Sequence, residues 1–217
     1  MLPTWLWAGG LALALVLLVL ASRVERHESR QQLAYRAAIG ALVLAAMAIE
    51  IPFGPLEYHL TLVGPVGILL GPAAAFQVMF VASMVLAFLG HGGFTVIGLN
   101  ALILGAGAAV ARPIYRAIVE SRSPAFATAT AAAFAHAISG SLWLMTTGTA
   151  LQWKLATHSD KEGERLTLFA AVAIPMWLVG MAVESTVAYG IGRFLTRVRP
   201  DLLPASAAPI TSAAKPT

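Results

Sequence analysis

Apolar residues run along this chain in long blocks separated by short polar gaps. The blocks cover Trp5–Ala21, Tyr35–Ile51, Ala73–Leu89, Phe94–Ala111, Ala125–Met145 and Leu166–Phe194. A helix of about 20 residues, rising roughly 1.5 Å per residue, crosses the hydrocarbon core of a bilayer, so each block is predicted as a transmembrane helix. Between the second and third blocks lies Thr61–Gly71, an apolar run of about eleven residues punctuated by Gly64, Pro65 and Gly67. Backbone groups left unpaired in lipid cost several kcal/mol each, so all these segments must be helical or shielded by protein. The pattern predicts an all-α integral membrane bundle of six to seven transmembrane helices, one of them short and Gly/Pro-interrupted.

Composition agrees with a bilayer as solvent. Of 217 residues, 59% are hydrophobic and only 11% charged, whereas soluble domains carry roughly 25% charged residues. The net charge of +4 could suit nucleic acid. The basic residues, however, occupy short gaps between apolar blocks and form no continuous stripe, so they read as membrane-topology signals and no nucleic-acid partner is expected. The chain has no cysteine, which excludes disulfides and thiolate metal ligands. The first block is not read as a signal peptide: no basic residue precedes it, and about seventeen residues exceed an h-region of roughly 7–15. There is no P-loop, GxSxG or HExxH motif, and no enzymatic activity is expected.

Charge decides the expected sidedness. Arg23, Arg26, Arg30 and Arg36 lie in the first gap, Arg112, Arg116 and Arg122 in a later one, and Arg193, Arg197 and Arg199 after the last block. These regions are placed in the cytoplasm. The Ile51–Leu60 segment has no basic residue, and between Lys154 and Arg165 the basic residues are offset by Asp160, Glu162 and Glu164, so both are placed outside. An external Glu57 and a cytoplasmic Arg112 need an odd number of crossings between them, so Thr61–Gly71 counts as one. The result is seven crossings of the cell (inner) membrane, N-terminus outside and C-terminus in the cytoplasm. Residues 1–199 read as one polytopic domain, and the Pro/Ala/Ser/Thr-rich stretch 200–217 as a disordered cytoplasmic tail.

Five histidines are candidates for chemistry. His27 and His158 lie in polar gaps and read as solvated. His59, His91 and His136 lie at membrane mouths or inside a span, where polar groups are costly. His59 enters the broken segment from the outer side; imidazole is a good ligand for nickel, cobalt, copper and zinc, and the alternative is an interfacial histidine bonded to a carbonyl. His91 opens HGGFTVIGLN, where Gly-Gly suggests a tight turn. Asn100, nine residues on, suits a supporting role, because an amide both donates and accepts. The alternative for both is a tie between helices. His136 and Glu184 are intramembrane ionisable groups that could pair with each other, tie helices together, or form a relay. Glu50 marks the outer end of the second block and Glu57 adds negative potential near His59; neither is read as a ligand.

Two segments together carry a family resemblance. His59-Leu-Thr61-Leu-Val-Gly64-Pro-Val-Gly67-Ile-Leu-Leu-Gly71-Pro72, followed by His91-Gly-Gly-Phe-Thr95-Val-Ile-Gly98-Leu-Asn100, resembles the cobalt/nickel substrate-capture components of energy-coupling factor transporters, the CbiM/NikM type. The resemblance covers Leu2 to about Tyr115. It implies a divalent ion, Co²⁺ or Ni²⁺, held near the outer face as transported ligand rather than cofactor. It also implies partners: a transmembrane coupling subunit and cytosolic ATPase subunits. Of the family's ligands, only the motif histidine carries over, to His59; His91, Asn100 and Thr61 match positions that would support it. Nitrogen donors favour Ni²⁺ and Co²⁺ over Mg²⁺, and binding would weaken as pH falls because the donors must be deprotonated.

One departure bears on this reading. The family also uses the N-terminal amine and a histidine directly after the initiator Met, where this chain has Leu2. A short family extension ends in a Leu-Pro that aligns with Leu2-Pro3. Met1 is therefore expected to be an internal methionine, with the natural start upstream; the alternative is a site that has diverged to another ligand. A form truly beginning at Met1 is expected to bind metal weakly or not at all. The rival readings are the same architecture serving a different small ligand, and a membrane scaffold that transports nothing.

Overall fold

The computed structural model describes residues 2–26, 29–53, 56–91, 93–158 and 162–204. Met1, His27 and the stretch 205–217 lie outside the described residues, as do the side chains of Glu50, Glu57 and His158. Among the described residues seven α-helices carry the fold: α1 (Thr4–Val24), α2 (Arg30–Met47), α3 (Val63–Leu70), α4 (Pro72–Phe88), α5 (Ile97–Val119), α6 (Pro124–His158) and α7 (Glu162–Val198). Each expected block falls on one of them, and the short run Thr61–Gly71 falls on α3. Four segments are long and apolar enough to cross a membrane: α1, α5 with the 3₁₀ turn before it, α6 and α7. The shorter α4 is also apolar. Leu13 and Val16 of α1 are about half exposed, an apolar outer surface that suits lipid and not water.

Three stretches differ from the sequence expectation. The second block was expected to be helical to Ile51, but α2 stops at Met47 and Glu50–Phe53 form a strand, β1. Ile51 precedes Pro52, and a residue before proline is pushed out of the helical region. β1 pairs antiparallel with β2 (Leu56–His59), with Glu50 opposite His59. The segment around Lys154–Arg165, expected as a loop, is helical at both ends: α6 runs 35 residues to His158 and α7 begins at Glu162. At about 1.5 Å per residue α6 is about 52 Å long, more than a hydrocarbon core of roughly 30 Å can hold. After α7, Pro200–Leu202 form a 3₁₀ turn, beside which Arg199 holds the Asp201 carboxyl below the usual carboxylate range through a 2.8 Å ion pair.

The short helix α3 sits at the centre. Val63 to Ile68 are all buried, packed against α4, α5, α6 and α7. Eight residues make a helix of only about 12 Å; Thr61, Leu62 and Gly71 at its ends are irregular chain, with Leu62 and Gly71 at positive φ. Irregular backbone at membrane depth is tolerated when protein surrounds it. Two features hold α3 in place. At its C-terminal end Arg112 of α5 donates from Nε to the Ile68 carbonyl (2.9 Å) and from Nη2 to the Leu69 carbonyl (3.1 Å), satisfying carbonyls that a helix end leaves unpaired. Along its length, Gly64 meets Ala132 of α6 and Gly67 meets Ala108 of α5.

That close approach has a testable consequence. A Cβ at Gly67 would overlap the Ala108 carbonyl, which is backbone and cannot swing aside. Gly67→Val is expected to cost at least about 1–3 kcal/mol through overpacking, read as a lower melting temperature in detergent. An unchanged melting temperature would show that α3 is packed more loosely than its contacts imply.

Away from α3, polar side chains tie the first two helices to α4. Arg36 donates to Glu25 at 3.0 Å and also to Gln77 of α4. Ser29 caps α2, its hydroxyl accepting from the Gln32 amide while the Gln32 side chain accepts from the Ser29 amide, a reciprocal cap that satisfies two otherwise orphaned donors.

Candidate metal centre

The hairpin brings the candidate residues together. β2 ends at His59, and pairing with Glu50 sets that residue beside the end of α2. There His59 Nδ1 lies 2.8 Å from the Met47 carbonyl oxygen. A carbonyl can only accept, so Nδ1 carries a proton, and in the neutral ring Nε2 is then the nitrogen with the free lone pair. Fixing one imidazole nitrogen on a carbonyl is how proteins orient a metal-ligating histidine. The interfacial hydrogen bond and the ligand role, two alternatives by sequence, are therefore compatible in one ring.

His91 reaches the same place from the turn after α4. Its backbone amide donates to the Leu86 carbonyl (2.9 Å), closing that helix, and Gly90 and Gly93 on either side have φ of 92° and 78°. The two imidazoles stand edge to face, with centroids 5.9 Å apart and planes at 82°. Asn100, in the first turns of α5, lines a cavity of about 230 Å³ together with His59, Thr61, His136 and Ser139. Among the described residues no three His, Cys, Asp or Glu side chains form a ready-made metal cage. A larger groove of about 700 Å³ runs between α1, α4, α5 and α6, but Leu13, Leu17, Phe76 and Leu102 set its apolar character, and it offers little to a cation.

Thr61 lines the cavity, but its donors are already used. Its hydroxyl and its amide donate to Glu184 Oε1 at 2.6 and 2.5 Å, and the Leu62 amide donates to Oε1 and Oε2 at 3.2 and 3.1 Å. Glu184 is 1% exposed, so α7 places a carboxylate in the core to receive the backbone where β2 becomes α3. Leu62 needs that support, because its φ of 52° lies in the left-handed region, which costs an L-residue roughly 1–2 kcal/mol. Among the described residues Glu184 makes no hydrogen bond to His136. Tyr58 comes between them: its hydroxyl donates to the Gly180 carbonyl (3.1 Å), and its ring centroid is 6.1 Å from that of His136. The Tyr58 ring fills the space a side chain at position 180 would take.

The fold places His59 beside His91 and on one cavity with Asn100, while the contacts of Thr61, Tyr58 and Glu184 were not legible in the sequence. A lone carboxylate in MAVESTV signals that donors must come to it. Nothing in the sequence says that they are backbone amides about 120 residues away.

The sequence profile of the cobalt uptake substrate-specific transmembrane region matches residues 1–202. The chain belongs to this family. No curated protein sequence matches it. Two solved structures share the fold of this cobalt-uptake family member. One is a crystal structure of a truncated transition metal transporter, 20% identical with a TM-score of 0.76, covering 90% of this chain and 95% of that one. The other is a crystal structure of a transition metal transporter, 21% identical with a TM-score of 0.76, covering 91% of this chain and 90% of that one. The profile extends the family assignment well past Tyr115, where the recognisable motifs end. The chain is accordingly a multi-pass membrane component of a metal uptake system.

Proposed function

We propose that this chain captures Co²⁺ or Ni²⁺ at the outer face of the cell membrane, as the substrate-binding component of an energy-coupling factor transporter. His59 is the ligand, and His91, Asn100 and Thr61 support it, Thr61 through Glu184. The observation that carries the reading is the His59 Nδ1 hydrogen bond to the Met47 carbonyl, which leaves Nε2 as a nitrogen donor beside the His91 ring and on the cavity wall. Neutral nitrogen donors suit late transition metals and not Mg²⁺. Family membership supports a transmembrane coupling subunit and cytosolic ATPase subunits as partners, and the arginine-rich gaps support an external N-terminus. The chain performs no covalent chemistry in this scheme; its work is binding.

The test is uptake of radiolabelled Co²⁺ and Ni²⁺ by cells that express the chain together with the coupling and ATPase subunits of an energy-coupling factor transporter. Uptake is expected to exceed that of cells lacking the chain and to resist a hundredfold excess of Mg²⁺. Equal uptake with and without the chain would remove the proposal.

A further inference from the structure

We propose that His136 is an inner nitrogen donor for the transported cation, where a partly hydrated divalent transition metal rests after leaving His59. The inference rests on reading His59 as the capture ligand. A histidine in the apolar α6 needs a reason to be there, and the tie between helices expected from the sequence is not made by its ring. The residue is 7% exposed, yet Nδ1 has no hydrogen-bond partner among the described residues. The ring stands edge-on to Tyr58, while its backbone carbonyl accepts from Trp177 Nε1 at 3.4 Å. Leaving a buried polar atom unpaired is costly; Nδ1 is itself fully buried, and a cation in the cavity that His136 lines would reach it when the ring rotates.

The cavity suits such a ligand. One wall carries His59, Asn100 and Thr61, and His136 and Ser139 come from α6. At roughly 30 Å³ per water, its volume of about 230 Å³ holds on the order of seven waters, room for an ion that keeps part of its hydration shell. Glu184, the nearest buried carboxylate in the fold, is committed to Thr61 and Leu62, so the available donors are neutral nitrogen and oxygen atoms. Such a set binds weakly, as a position that must also release its ion requires. Beyond the cavity, α3 fills the centre of the bundle and the Arg112 guanidinium sits on its far end. A cation meets packed backbone and then positive charge, so the inner position is where it stops until the helices move.

The experiment is a Co²⁺ titration of the purified full chain in detergent, followed by visible absorption, with size exclusion as the folding check. His59→Ala is expected to weaken binding and to leave a residual nitrogen-ligated Co²⁺ band. Adding His136→Gln is expected to weaken that residual binding at least tenfold. The histidines elsewhere in the chain provide a common background in both proteins. A second variant covers the case in which the glutamine folds poorly. The chain has no cysteine, so His136→Cys in the His59→Ala background is expected to add an intense thiolate-to-cobalt charge-transfer band that no other residue could produce. Identical titrations for His59→Ala and the double variant, or a folded cysteine variant without that band, would overturn the inner site. Loss of all binding in His59→Ala would also overturn it while leaving the capture reading intact. Wild-type affinity in His59→Ala would instead remove the capture reading.

Discussion

Glu184→Ala is expected to destabilise the protein more than any other single truncation in the core. The carboxylate receives the Thr61 amide, the Thr61 hydroxyl and the Leu62 amide, and removing it leaves donors inside the bundle with no substitute. Each buried donor left unmade costs about 1–3 kcal/mol, and the left-handed Leu62 loses the contact that stabilises its conformation. A fall of at least about 2 kcal/mol follows, seen as a lower thermal or denaturant midpoint in detergent. Glu184→Gln keeps an acceptor oxygen and should fall between alanine and wild type. Because the anchored turn lies directly after His59, the alanine variant should also lose cation affinity in whatever fraction remains folded. A midpoint within about 0.5 kcal/mol of wild type for alanine, the range of an ordinary surface change, would show that the turn stands without its anchor.

His59→Ala is expected to have the opposite signature, with uptake lost and stability nearly kept. The side chain makes one hydrogen bond, to the Met47 carbonyl, so its removal should cost about 0.5–1.5 kcal/mol. Residues that merely orient a metal ligand cost 10–100-fold in affinity when changed, so loss of the ligand itself should reduce affinity at least about 100-fold. The measurement pairs Co²⁺ or Ni²⁺ uptake with the amount of folded protein in the membrane. A scaffold that transports nothing would give the reverse: unchanged uptake and a drop in folded protein. Asn100→Ala should give an intermediate loss of uptake, because an amide on the cavity wall tunes the site without being its principal donor.

The readable parts of this site share a physical cause. His59, His91 and Asn100 stand out because a polar side chain in an apolar block is costly and must have a use, and that cost can be seen one residue at a time. The edge-to-face arrangement of His59 and His91 could not be read this way. It depends on β2 ending opposite Glu50 and on the turn after α4 closing at Leu86. The hairpin itself was hidden because its first strand continues an apolar block, and a short apolar run looks alike in a helix and a strand.

Hydropathy determined that this is a helical membrane bundle and roughly where its long helices lie, since each block must meet lipid and satisfy its own backbone. The candidate residues stood out in the same way, by their cost in that setting. Only the tertiary structure decided their partners. Glu184 accepts from Thr61 and Leu62 in place of His136, Tyr58 packs against the His136 ring, and His136 lines a cavity with its Nδ1 unpaired among the described residues. The reason is distance along the chain. Burial cost is a property of one position, whereas a hydrogen bond across more than a hundred residues depends on how every helix between them packs.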